Sequence, residues 1–210
     1  MKKVLLVAGT VAFLAACTSP KANTEAEDAV EVEEVVEETT TNYVVNGAES
    51  TVAWEGSKVT GDFHTGTVAV SMGKLSVENG VLAGGEFVLD MGSVSATDEG
   101  MDDETKGKLV GHLTSPDFFD VDSFKTASFE IASATADSLT GNLTIKDVTK
   151  AITIPYTMSA EGDVASVSST FSIDRTQWGV EYGSGSIIAD LGDKAINDAI
   201  EFDITLAATK

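Results

Sequence analysis

Between residues 165 and 174 the chain alternates. Val167, Phe171 and Ile173 fall on one side of a two-residue period, and Ser166, Ser168, Thr170, Ser172 and Asp174 fall on the other. That is the pattern of a strand with one face buried and one face wet. The apolar row then runs into Asp174-Arg175 and the corner Trp178-Gly179, so an oily face ends where charge and an indole meet. Such a strand suits the wall of a pocket for an amphiphile. It also suits an ordinary core strand followed by a surface ion pair and a packed Trp, which from these residues alone is the commoner arrangement.

The same period recurs through most of the chain. Val52 and Trp54 alternate with Thr51, Ala53 and Glu55, residues 62–72 read as one long strand, and Asn79-Gly80 marks a hairpin between 75–78 and 81–91. Phe129 and Ile131, then Leu139, Leu143 and Ile145, then Ile152, Ile154, Tyr156 and Met158, and finally Ile200, Phe202, Ile204 and Leu206 each form one apolar side. A single segment breaks the rule: Asp102-Asp103-Glu104 leads Lys106, Lys108 and His112, an acid-to-base order that suits a helix dipole, and Ser115-Pro116 stops it. The expected fold is all-β, about eight antiparallel strands with one short helix. Closure into an extended barrel removes exposed edges; a two-sheet sandwich is the competing architecture.

The first forty residues change the picture. Lys2-Lys3, an apolar run over residues 4–16 and the small-residue end Leu14-Ala15-Ala16-Cys17 read as a signal peptide, 1–16, too short to remain as a membrane span. They resemble a bacterial lipoprotein signal with its lipobox, which implies lipidation of Cys17. The acid-rich stretch to residue 41 holds eight Asp and Glu against the single Lys21 and lacks aromatic residues, so 17–41 is expected to be a disordered tether. Residues 42–210 form one domain of ordinary size.

Charge and cysteine content exclude several functions. The formal net charge is −21, and losing Lys2 and Lys3 makes it more negative by two, so nucleic acid is no partner and anionic headgroups are repelled. Cys17 is the only cysteine, so acylation leaves neither a disulfide nor a reactive thiol. With only His64 and His112 besides, no transition-metal set is expected. Acids at 98–104 read as a helix start rather than a Ca²⁺ site, and Gly183-Ser184-Gly185-Ser186 lacks the Lys and following helix of a phosphate loop.

Five motifs occur in order: Gly61-Asp62-Phe63-His64-Thr65-Gly66; Gly84-Gly85 through Asp90-Met91; Leu109 through His112 to Asp117-Phe118-Phe119-Asp120; Gly141 through Thr149-Lys150; and Ile173-Asp174-Arg175 through Trp178-Gly179. In this order they resemble the YceI-like family of bacterial lipid-binding proteins. Asp147 stands where that family usually has Gly, and Asp tolerates positive φ; Lys125 replaces a common Pro. The resemblance implies a lipocalin-like eight-stranded barrel whose long apolar cavity takes the tail of a polyisoprenoid or isoprenoid quinone, with no other cofactor and no catalysis. The lipoprotein-like signal, with Thr18 after Cys17, implies a place in the bacterial cell envelope, lipid-anchored at the outer membrane and facing the periplasm. Oligomeric state is left open.

The expected cavity wall is drawn from the apolar sides: Trp54; Phe63, Val68 and Val70; Phe87 and Leu89; Phe129 and Ile131; Ile152 and Ile154; Phe171 and Ile173; and Phe118 with Phe119 after the helix. At the mouth the polar or amphipathic candidates are His64, Asp174, Arg175 and Trp178, since Arg meets phosphate or carbonyl and indole offers an apolar body with one donor. Two other readings stand beside the carrier. One is a filled barrel acting in surface interaction or envelope stress; the other is an enzyme using His64 and Asp174 as acid and base.

Overall fold

The computed structural model describes residues 40–210, so the signal peptide, Cys17 and nearly all of the expected tether lie outside the described residues. Ten strands and one helix follow in the order β1 Thr40–Val45, β2 Thr51–Lys58, β3 Phe63–Glu78, β4 Val81–Ala96, α1 Asp103–Thr114, β5 Thr126–Ala134, β6 Ser138–Ile145, β7 Val148–Pro155, β8 Thr157–Glu161, β9 Val164–Asp174 and β10 Ile196–Thr209. Every pairing between strands is antiparallel. The hydrogen-bonded path is β7-β6-β5-β4-β3-β1-β10-β9-β8, with β2 also between β3 and β10.

Ten strands fill eight lanes, which reconciles the expected number with the observed one. β1 and β2 occupy successive parts of the lane between β3 and β10. The loop between them lies so close to β3 that a Cβ on Gly47 would sit 2.2 Å from the carbonyl oxygen of Val70. β7 and β8 are one run bent at Pro155-Tyr156: β7 ladders with β6 and β8 with β9, which closes the path into a barrel. Tyr156 is buried at this bend, with its N–H on Asp137 O and its hydroxyl donating to Thr135 O at 2.7 Å. Beyond the Ser169 hydroxyl, which donates to Pro155 O at 2.6 Å, β7 and the far half of β9 share no backbone ladder.

The two ends of the barrel differ. At one end lie the Asn79-Gly80 hairpin, the β8–β9 turn and the C-terminal Lys210, and the interior there is filled by Tyr43, Leu75, Leu82, Leu139, Val167 and Leu206. We call this the packed end. At the other, the loop end, α1 packs against β4, and a 3₁₀ turn over Arg175–Trp178 and the 179–195 connection cover the barrel. α1 begins as its charge order predicts: Asp102 caps it by accepting from Thr105 N–H at 2.7 Å, and Glu104 and Lys108 pair one turn apart.

Bulges shift the inward face along the long strands. On β3 the register slips between Val70 and Met72, so inward residues change from Val68 and Val70 to Leu75 and Val77. Near the loop end, Gly66 on β3 faces Trp54 on β2, and a Cβ there would meet Ser95 O at 1.8 Å and the indole at 2.3 Å. Overpacking against backbone and a large ring has no cheap relief. Gly66→Ala is therefore expected to destabilise the fold by about 2–3 kcal/mol; thermal and denaturant unfolding of the variant measure it.

Candidate functional site

The half of the barrel nearest the loop end encloses a cavity of about 110 Å³, lined almost wholly by carbon. Alternation along the strands supplies its walls: Val52 and Trp54 from β2, Phe87, Leu89 and Met91 from β4, Ala127 and Phe129 from β5, and Phe171 from β9 opposite Phe202 of β10. Leu113 of α1 and Phe118 and Phe119 after it reach in from the loop end. Trp54, Leu89, Phe119, Leu143, Phe171 and Phe202 line this cavity and are only partly buried. Their free surface faces a void, and Phe171 and Phe202 stack with ring centroids 5.5 Å apart.

Of the residues expected in a binding site, Trp54, Val68, Phe87, Leu89, Phe118, Phe119, Phe129, Ile154, Phe171 and Arg175 line the cavity. Val70, Ile131 and Ile173 are buried but pack away from it, and Ile152 is half-buried outside the lining. Phe63 is 56% exposed, because its parity on β3 is opposite to that of Val68 and Val70 and turns it out of the barrel. Sequence reasoning left out Phe202, Ile200 and Ile204, although the alternation of β10 displays them. It also left out Met91, which continues the inward row of Phe87 and Leu89, and Val94, which a change of face on β4 turns inward.

The polar candidates separate. Asp174 does not pair with Arg175; it caps the 3₁₀ turn, accepting from Thr176 N–H at 3.0 Å and from its hydroxyl at 2.6 Å. Trp178 is 1% exposed and donates its indole N–H to Leu143 O at 3.0 Å, so it is core and not mouth. His64 keeps the inward parity of Val68 yet lies past the rim, with Nδ1 3.0 Å from Asp98 Oδ1 in an open polar cleft with Lys58, Asp62 and Asp102. The acid–base pair of His64 with Asp174 is thus not formed.

Arg175 is the one charged group in the cavity wall, and it is 1% exposed. Nε donates to Asn197 O at 3.1 Å, Nη1 to Val180 O at 2.7 Å and Nη2 to Ile196 O at 3.2 Å. Phe118 lies 5.4 Å beneath the guanidinium, and the Asp198 carboxylate is 3.6 Å away. Burial lowers the pKa of Arg175, opposed by the charges of Asp198 and Asp174. A guanidinium carries five N–H donors, and three of them are committed to these carbonyls. Trp54, also in the wall, has a buried indole N–H with no acceptor. Among the described residues no group of three or more His, Cys, Asp or Glu is placed to hold a metal.

A family model described as YceI-like domain matches residues 43–208. The fold is similar to that of BcnA from Burkholderia cenocepacia, at 22% identity and a TM-score of 0.61 over 79% of this chain and 99% of that one. It is also similar to a polyisoprenoid binding domain from Saccharophagus degradans implicated in plant cell wall breakdown, at 14% identity and a TM-score of 0.57 over 80% of this chain and 97% of that one. Comparison with curated proteins returns no match.

The clasp around Arg175 gives a pH-dependent expectation. Burial by itself pushes Asp198 up, but hydrogen bonds from Ser184 and Ser186 and the charge of Arg175 outweigh it and hold the carboxyl below its ordinary 3.8. A carboxylate held low stabilises the fold above its unfolded pKa, and that contribution is lost as pH falls through the lower folded value. Asp198→Asn is expected to lower stability at neutral pH and flatten the acid limb below about pH 4. Denaturant unfolding of both proteins across pH 2–7 checks this.

Proposed function

The chain belongs to the YceI-like domain family, and from that membership we propose that it is a non-enzymatic holder or carrier of a polyisoprenoid or isoprenoid-quinone amphiphile. It is anchored through a lipidated Cys17 in the bacterial cell envelope, at the outer membrane and facing the periplasm. The observation that carries this reading is the carbon-lined void walled by partly exposed aromatic and aliphatic side chains. The polyisoprenoid binding domain from Saccharophagus degradans, which is similar in fold, supports the ligand class.

The void is smaller than the continuous slot the sequence suggests, because the packed end is filled. At about 110 Å³ it approaches the roughly 150 Å³ of an engineered cavity that takes benzene. A long prenyl chain therefore enters by displacing partly buried side chains such as Phe171, Phe202 and Leu143. Burial of the tail gains about 0.8 kcal/mol per CH₂ against water, and a bilayer offers much the same. Loading and release then run nearly in balance without an energy source. Arg175 and Trp54, both in the wall, are the donor-bearing residues that a ligand oxygen meets once wall side chains move.

The filled half favours a second reading, an anchored surface or envelope-stress protein without a lipid ligand. Mass spectrometry of an organic extract from protein purified without detergent separates the two. A long-chain lipid is expected, reduced at least tenfold in a Leu89→Trp variant that fills the void and keeps its circular dichroism; extracts consistently free of such lipid leave only the second reading. Cys17→Ser is expected to remove the acyl mass and shift the protein from the membrane to the soluble fraction on cell fractionation. An unchanged partition would remove the anchor.

A further inference from the structure

We infer that the loop end of the barrel docks onto a zwitterionic phospholipid bilayer through Val59, Phe63, Tyr182, Ile187 and Ile188. This inference rests on the carrier reading and adds the surface through which cargo passes. All five side chains are exposed: Val59 by 55%, Phe63 by 56%, Tyr182 by 46%, Ile187 by 49% and Ile188 by 42%. Single exposed hydrophobic residues are ordinary, whereas several on adjoining connections mark a contact surface.

The connections do adjoin. Val59 and Phe63 flank the β2–β3 turn, and the other three belong to the 179–195 connection. Val59 N–H donates to Ala195 O at 3.1 Å, Lys58 registers with Ile196, and Ser184 forms a parallel bridge with Ile196. Tyr182 is held to α1 by His112, with ring centroids 4.5 Å apart. Directly beneath, Gly56, Ile196, Asn197 and Ala199 line the cavity, so these apolar tips rim the hollow half and not the filled one.

A bilayer, rather than a protein, is the occupant because the cargo dissolves there and because of where the described chain begins. Thr40 pairs with Glu78 at the packed end, opposite these tips. The residues from Cys17 to Thr40 reach on the order of 75 Å when extended, while the sixteen-residue β4 spans about 53 Å at about 3.3 Å per residue. An anchored domain has enough slack to turn its loop end to the membrane. Asp62, Glu181, Asp190 and Asp193 on the same connections outnumber Lys194 and the adjoining Lys58, and this charge balance selects a zwitterionic surface over an anionic one.

The lipidated chain has no free thiol of its own, so one introduced cysteine takes a label alone. Nitrobenzoxadiazole is attached in Ile187→Cys, Phe63→Cys and Met72→Cys, the last on the barrel flank and 64% exposed, and each protein is reconstituted in phosphatidylcholine vesicles with doxyl-labelled lipid. Quenching and blue shift at positions 187 and 63 are expected to exceed those at 72 at least threefold, and to fall when phosphatidylglycerol is added; equal quenching at all three positions overturns the docking. In addition, Ile187→Asp/Ile188→Asp is expected to keep its co-purified lipid and to pass it to acceptor vesicles at least tenfold more slowly, and an unchanged transfer rate also overturns it. Lipid missing from the wild-type extract defeats the carrier reading alone, because the quenching contrast is read without any cargo.

Discussion

The guanidinium of Arg175 holds the hollow end of this barrel together. It reaches three carbonyls from two separate segments, Val180 after the 3₁₀ turn and Ile196 and Asn197 at the start of β10, and it does so from a position sealed off from water. A void lined by carbon gives its walls no inward contacts, so those walls must be fixed from outside the void. Here the fixing is done by the ladders around the lanes and by this clasp. Lys146 adds to it from the β6–β7 turn, donating to Phe118 O and Gly179 O. Hydrogen bonds to a charged donor are stronger than neutral ones, which suits a single side chain to the task.

The division into a packed end and a hollow end follows from side-chain size and placement. Leu75, Leu82 and Leu206 meet with Tyr43 and Tyr156 at the packed end and leave no room. Toward the loop end the small Gly56 and Ala127 and the valines 52 and 68 stand in the wall, and the aromatic rings lie around the space instead of across it. Stability can thus be drawn from one half while the other stays open.

Much of the fold is legible in the sequence because its signals are local. The alternation of β9, the Asn79-Gly80 hairpin and the acid-first helix each depend on residues a few positions apart. Asp147 behaves as its chemistry predicts, with φ of 60° in the tight β6–β7 turn, beside Lys146 at 49°. What the sequence hides is set at a distance. The parity of β3 changes at a bulge that no residue type announces, so Val70 and Leu75 both point inward. Asp174 sits next to Arg175 in the chain, yet the 3₁₀ turn claims its carboxylate and the guanidinium swings to partners across the barrel. His64 carries the right parity and lies one step too far along the strand. The width of the void depends on distances between strands that periodicity does not encode.

The missing ladder between β7 and the far half of β9 gives the barrel an adjustable girth. Around the rest of the circumference, widening means breaking backbone hydrogen bonds in sequence, each one a charge against the fold. Along this line no backbone ladder has to be undone, and the wall is joined by the Ser169 hydroxyl on Pro155 O and by side-chain packing. On the carrier reading, such a seam suits guests of different cross-section, much as a split ring closes on rods of unequal diameter.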